Sequence, residues 1–202
     1  MAEGPLTAVS DDELLRRIAA GDAEAFAALF RRYYGQVYRF ARHMTGEAPP
    51  AEDVTQDVFV AVMRGAARYE PGRSAAAWLC GIARNVARQR LERDRGMLPL
   101  ADPDDTVEDG LLVTPDPLGE LIQATRLDEL RKAILSLPVV YREVIVLCDL
   151  QELSYADAAG AIGCAVGTVR SRLHRARGLL ATKLTAAAAD RSPAAGGLRC
   201  LA

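Results

Sequence analysis

The chain has 202 residues, half of them hydrophobic and 26% charged, with aromatics at only 5%. That length suits one or two small domains, no apolar run reaches the ~18 residues of a membrane span, and Met1–Ser10 carries no basic, apolar signal segment. The net charge of −2 argues against a nucleic-acid partner only as an average, because residues 1–97 sum to +1, residues 98–122 to −7 and residues 123–202 to +4.

Few aromatics and abundant alanine favour helices over a β-sandwich. The first helix is announced by Ser10, followed by Asp11, Asp12 and Glu13. Ser10 and Glu13 have capping-box spacing, and the acids suit the positive end of a helix dipole. Leu14, Leu15 and Ile18 give its apolar face, Gly21 ends it, and Asp22 can cap the next. The second helix is expected from Ala23 to Thr45, with Phe26, Leu29, Phe30, Tyr33, Val37, Phe40 and Met44 at helical spacing. Gly46 and the Pro49-Pro50 pair read as its break. A third helix is expected over Ala51–Arg64, with Val54, Val58, Ala61 and Val62 on one face. Asp53, Gln56, Asp57 and Arg64 fall away from that face. A loop through Tyr69 to Arg73 follows. Ser74 can cap a fourth helix over Ala75–Arg93, with Trp78, Leu79, Ile82, Val86 and Leu91 toward the core. Arg84, Arg88, Arg90, Arg93 and Arg95 make its later half basic.

Residues 97–122 hold four of the ten Pro and seven acids, with no Lys or Arg and no periodic apolar stripe. This reads as a flexible acidic linker between two domains. Beyond it, Leu127, Leu130, Ile134 and Leu137 form a helical stripe, and Pro138 suits the start of the next helix. Ser154 precedes a short helix that reaches Ile162, with Asp157 at the capping-box position usually held by Glu. Gly163 and Cys164 turn the chain, and a last helix runs over Val166–Leu184 with Val169, Leu173, Ala176 and Leu180 inward. The expected organisation is all-α: a first domain over 1–96, the 97–122 linker, a second domain over 123–184, and a disordered Ala/Gly/Ser/Pro tail over 185–202.

The chemistry of an active site is hard to find in these residues. There is no CxxC, no HExxH and no Gly-rich phosphate loop, and neither His43 nor His174 has a metal ligand at zinc spacing. The four Cys are scattered at 80, 148, 164 and 200, as isolated reduced thiols of a cytoplasmic protein would be. Asp53 and Asp57 share a helix face, more naturally as a polar interaction surface than as a metal pair. No cofactor, metal or small-molecule substrate is expected. The segment 154–177 is different: helix, three-residue turn, helix. Residues 165–184 carry four Arg and one Lys and no acid. The second helix offers Thr168, Arg170, Ser171, Arg172, His174, Arg175 and Arg177, and such a helix fits a DNA major groove. An ordinary basic, solvated helix is the alternative.

Five strings together carry a family likeness: FAALFRRYYGQVYRFAR (26–42), AEDVTQDVFVAVMR (51–64), WLCGIARNVARQR (78–90), LSLPVVYREVIVLCDL (135–150) and SYADAAGAIGCAVGTVRSRLHRAR (154–177). In order and spacing the chain resembles a bacterial sigma factor of the sigma-70 family, extracytoplasmic-function group. The resemblance implies a non-catalytic transcription initiation factor that binds core RNA polymerase, recognises promoter DNA and helps melt it, with an anti-sigma factor as a further partner.

The resemblance also assigns positions. The 51–64 helix matches the main polymerase contact, with Asp53, Gln56, Asp57, Phe59 and Arg64 as candidates; Phe59 is equally well placed for the core. The loop 67–74 and the helix after it match the surface that reads the minus-10 element, with Tyr69, Arg73, Arg84, Asn85, Arg88 and Arg90. Tyr69 either stacks on a base or is a plain loop residue, and Asn85 either reads a base or caps locally. The 154–177 helix-turn-helix matches the minus-35 reader. Asp102, Asp104, Asp105, Glu108 and Asp109 would suit a linker lying in a path meant for RNA, or simply a solubilising one. The chain departs from the family pattern at Ala158 and Gly160, where a larger aliphatic residue or a Glu is common.

Overall fold

Several helices begin where a side chain takes up backbone N–H groups that the helix itself leaves unpaired. A computed structural model of the protein describes residues 9–97 and 127–190. Ser10 Oγ accepts from the Glu13 N–H at 3.3 Å and starts α1 (Asp11–Ala19). Asp22 accepts from the Glu24 and Ala25 N–H groups and starts α2 (Ala23–Thr45). Gly46 ends α2 at φ 91, in the left-handed region, and its N–H returns to the Arg42 carbonyl.

The proline pair that reads as a break after α2 opens α3 (Ala48–Gly65) instead. Proline lacks the N–H that a first turn leaves unused, and its φ is already helical. The helix therefore starts earlier than Ala51. A short 3-10 turn (Ala66–Arg68) leads to the loop, and Ser74 Oγ accepts from Ala77 N at the start of α4 (Ala75–Met97). α4 outruns its expected end at Arg93. The acidic stretch 98–122, and with it the expected linker, lies outside the described residues.

In the second half, α5 covers 127–135 and α6 covers Val139–Ile145. A π-helical turn (Val146–Leu150) continues α6. α7 (Tyr155–Ile162) starts at Ser154, whose Oγ accepts from Asp157 N at 3.0 Å and donates to the Asp157 carboxylate at 2.7 Å. Gly163, at φ 74, ends α7. α8 (Val166–Asp190) passes the expected boundary at Leu184, so residues 185–190 of the expected tail are helical. The run of Ala186–Ala189 explains this, because alanine has the best intrinsic helix propensity.

No described residue is in a strand. α1–α4 bury Leu14, Leu15, Leu29, Val37, Phe40, Met44, Val54, Val58, Val62 and Leu79. α5–α8 bury Ile134, Leu137, Val144, Ile145, Leu147, Ala158, Ile162, Val169 and Leu173. Gly160 faces open space, so its departure from the family pattern leaves no hole, whereas Ala158 is fully buried. The two sets of helices also touch. α4 packs on α7, and their buried residues form one continuous cluster. The chain is all-helical, with two sets of helices on either side of residues 98–126 that also pack against each other.

Candidate functional site

Three surfaces follow from which helix faces the core leaves over. On α3, burying Val54, Val58 and Val62 turns Asp53, Gln56, Asp57 and Arg64 outward, and all four are exposed. Val60 and Met63 are exposed beside them, two apolar positions the sequence reading did not single out. Phe59 points the other way. It is 3% exposed, edge-on to Phe26 with centroids 6.2 Å apart and against Phe30 at 4.6 Å. As a surface contact it is corrected: the neighbouring rings of α2 give its aromatic face an apolar partner that solvent cannot. Asp53 accepts from Arg90 Nη1 at 3.1 Å and so ties this edge to α4; the same bond raises the Arg90 pKa.

The second surface is the loop after α3 and the outer side of α4. Arg73 is exposed and pairs with Glu70 at 3.1 Å. Asn85 is exposed and accepts from Arg84 Nη1 at 3.2 Å. Arg84 and Arg88 are not free in the way a basic face suggests. They flank the carboxylate of Glu143 from α6, Arg84 Nε at 3.1 Å and Arg88 Nε at 3.6 Å, and Glu143 is wholly buried. Tyr69 also points inward. It is buried, edge-on to Trp78 at 5.4 Å, and its hydroxyl bridges the Asp12 carboxylate and the Arg73 carbonyl. Burial, then the Asp12 hydrogen bond, raise its pKa, so the phenol stays protonated.

The third surface is α8. Burying Val169, Leu173 and Ala176 leaves Arg170, Ser171, His174 and Arg175 exposed, with Thr168 and Arg172 half-buried. Arg170 lies over the ring of Tyr155, the first residue of α7, 5.9 Å from its centroid. Arg177 makes a two-pronged contact to Asp149 in the π turn, Nε at 3.0 Å and Nη2 at 2.6 Å. That contact raises the Arg177 pKa further. The sequence reading placed Arg177 with its neighbours on α8 and missed this carboxylate, because a π turn leaves no signature in composition.

Among the described residues no group of three or more His, Cys, Asp or Glu could hold a metal ion, and no helix is long and apolar enough to cross a membrane. Burial pushes the Cys80 thiol up to about 12 and the Cys148 thiol up to about 11. Neither is the thiolate that a nucleophile requires.

Residues 29–96 match the family description Sigma-70 region 2, and residues 127–180 match Sigma-70, region 4. The chain belongs to the extracytoplasmic-function sigma factors of the sigma-70 family. It is 36% identical over 175 residues to the ECF RNA polymerase sigma factor SigM of Mycobacterium tuberculosis, covering 87% of this chain and 85% of that one. It is 28% identical to the ECF RNA polymerase sigma factor SigW of Bacillus subtilis, over 84% of this chain and 94% of that one. Among solved structures, RpoE in complex with the anti-sigma factor NepR from Bartonella quintana aligns with a TM-score of 0.66 at 25% identity, over 81% of this chain and 98% of that one. CnrH in complex with the cytosolic domain of CnrY aligns at 0.65 and 27% identity, over 87% of this chain and 97% of that one.

As an ECF sigma factor, the protein directs RNA polymerase to specific promoters and catalyses no step itself. The α3 and α4 surfaces fall within the match to region 2, and the α8 surface within the match to region 4.

Proposed function

We propose that the sigma factor divides its work among the three surfaces. The α3 edge of Asp53, Gln56, Asp57 and Arg64 binds core polymerase. Arg73, Arg84, Asn85, Arg88 and Arg90 read the minus-10 element and assist its melting. Thr168, Arg170, Ser171, Arg172, His174 and Arg175 read the minus-35 element as a duplex, with α7 and α8 acting as a helix-turn-helix. Phe59 supports the polymerase edge from beneath. Tyr69 stacks on a base only if its hydroxyl first leaves Asp12.

The observation that carries this reading is the exposed basic face of α8, set by the burial of Val169, Leu173 and Ala176 beneath it. Arginine and hydroxyl side chains on one helix face can contact both phosphates and base edges in a major groove. An anti-sigma factor as partner is supported by the complex of the RpoE neighbour with NepR. A cytoplasmic location fits work done on the polymerase. Run-off transcription with core polymerase tests the reading. Specific transcripts should appear only when the protein is added, and their absence on every template selected with the reconstituted holoenzyme would overturn it.

A further inference from the structure

We propose that Asp12, on α1, is a positioning residue for promoter reading: its carboxylate fixes the turn over Glu70–Arg73 and so sets where Arg73 meets the minus-10 strand. The inference rests on the proposed place of Arg73 in the minus-10 surface. α1 lies before residue 29, outside the match to region 2, so that match assigns Asp12 no role.

Most of the minus-10 surface is rigid because it is helical. Arg84, Asn85, Arg88 and Arg90 all stand on α4. Arg73 does not: residues 69–74 lie outside any helix. There the Arg73 N–H donates to the Glu70 carbonyl at 3.3 Å and closes a turn, with Gly72 at φ 83 inside it. One long hydrogen bond and an exposed Arg73–Glu70 ion pair are weak restraints. The stronger restraint comes from outside the loop. Asp12 Oδ2 accepts the Gly72 N–H, a donor the turn itself leaves unused, at 2.9 Å, and Oδ1 accepts from the Tyr69 hydroxyl at 2.7 Å. The same hydroxyl contacts the Arg73 carbonyl. The clamp therefore reaches the backbone of the residue that is to meet DNA.

Asp12 can hold the loop because α1 is itself fixed. Asp11 binds Arg32 and the Tyr33 hydroxyl of α2, and Arg32 Nη2 donates to the Val9 carbonyl at 2.9 Å. Leu14, Leu15 and Ile18 are buried beneath, and α1 packs on α2, α3 and the 3-10 turn. Two adjacent carboxylates thus fasten α1 on two sides, Asp11 to α2 and Asp12 to the loop. Both stand in the first turn, where the helix dipole favours negative charge. A turn already held in shape loses less freedom when DNA binds, so the clamp raises affinity without touching the strand. It also keeps the Tyr69 ring against Trp78 and away from any base. The two uses of Tyr69 therefore differ in sign. If Tyr69 must leave Asp12 to stack, removing Asp12 tightens binding. If Asp12 positions the turn, removing it weakens binding.

Holoenzyme reconstituted with full-length variants tests this. The probe is a fluorescent single-stranded oligonucleotide carrying the minus-10 element of the selected promoter. Asp12→Ala should weaken probe binding about fivefold, because fewer molecules hold the competent turn. Asp12→Asn has the same outline but one acceptor oxygen; it should lose part of that affinity, and it decides the matter if Asp12→Ala does not fold. Affinity for core polymerase and for minus-35 duplex should not change. The double-mutant cycle with Arg73→Ala separates positioning from mere stability. Arg73→Ala should itself weaken probe binding, and in that background the Asp12 variants should add nothing. A residue that only stabilises the domain would weaken both backgrounds alike. Unchanged or tighter probe binding by the Asp12 variants, or equal losses with and without Arg73, would overturn the inference, while a loss on Arg73→Ala alone would leave the minus-10 reading standing. Probe binding unchanged by Arg73→Ala would overturn both.

Discussion

The Tyr69 hydroxyl lies 2.7 Å from Asp12 Oδ1, and Asp12 Oδ2 accepts the Gly72 N–H at 2.9 Å. One carboxylate in the first turn of α1 thus pins both ends of the loop that leads into α4. Tyr69→Phe removes the hydroxyl and leaves Asp12 with its Gly72 partner. Hydrogen bonds to a charged group are worth about 1.5–3 kcal/mol, so Tyr69→Phe should lower stability by about 1.5 kcal/mol in urea unfolding. Asp12→Ala, which frees both ends, should cost more. Equal stabilities for wild type and both variants would show that the clamp contributes nothing.

His43, on α2, should give acid sensitivity. Burial first, then the charges of Arg131, Arg42 and Arg39, push its pKa down to about 4 from 6.5. The unfolded chain therefore takes up the proton before the folded one. The stability His43 contributes is complete above pH 6.5 and is lost as pH falls toward 4. Urea unfolding of wild type and His43→Gln across this window should give a shallower pH slope for the variant. Carboxylates titrate in both proteins and cancel in the comparison. Parallel curves would refute the assignment.

Most of the helices were legible because capping side chains and apolar spacing are local. Ser10, Asp22, Ser74 and Ser154 all accept from the backbone near the starts of their helices. What the sequence hid was long-range. Phe59 could be surface or core by spacing, and only the rings of Phe26 and Phe30 decide it. The inward apolar stripe of α4 was visible. Its use of a second face was not, because Gly81 looks like filler until α7 packs on α4 and brings Ala161 beside it. Glu143 reads as an ordinary surface acid on an amphipathic helix, and its burial depends on arginines more than fifty residues earlier in the chain. The exposed faces of α3 and α8 were legible for the opposite reason: exposure follows from which neighbours on the same helix are buried.

On α8, Arg175 is exposed and Arg172 half-buried, both clear of the buried Val169, Leu173 and Ala176. Arg172→Ala and Arg175→Ala should each weaken minus-35 duplex binding and leave polymerase affinity unchanged. Loss of a bidentate base contact should cost about 1–3 kcal/mol at one base position, whereas loss of a phosphate contact weakens all sequences alike. Arg177→Ala should do less to binding, because its guanidinium is already held by Asp149. Binding isotherms on the selected promoter and on single-base variants separate these outcomes. Promoter affinity unchanged by both Arg172→Ala and Arg175→Ala would place the DNA-reading face elsewhere.

The α3 edge admits the sharpest separation of folding from binding. Asp53 and Asp57 stand one turn apart and are both exposed, while Val54, Val58 and Val62 between and beyond them are buried. Asp53 also pairs with Arg90, but at 57% and 30% side-chain exposure. An ion pair so open to solvent is worth under about 1 kcal/mol, so losing it should not unfold α3. Asp53→Lys with Asp57→Lys reverses two charges on the proposed polymerase edge and leaves the apolar seam beneath it intact. The helical circular dichroism signal should stay near wild type while holoenzyme formation is abolished. Salt dependence then tells how the edge acts. Rim charges steer encounter, so the wild-type association rate should fall as salt rises, whereas charges desolvated in the complex govern dissociation instead. A folded double variant that assembles with polymerase at wild-type affinity would move the contact off this edge. The basic face of α2, where Arg31 and Arg39 are exposed, would be the next surface to change.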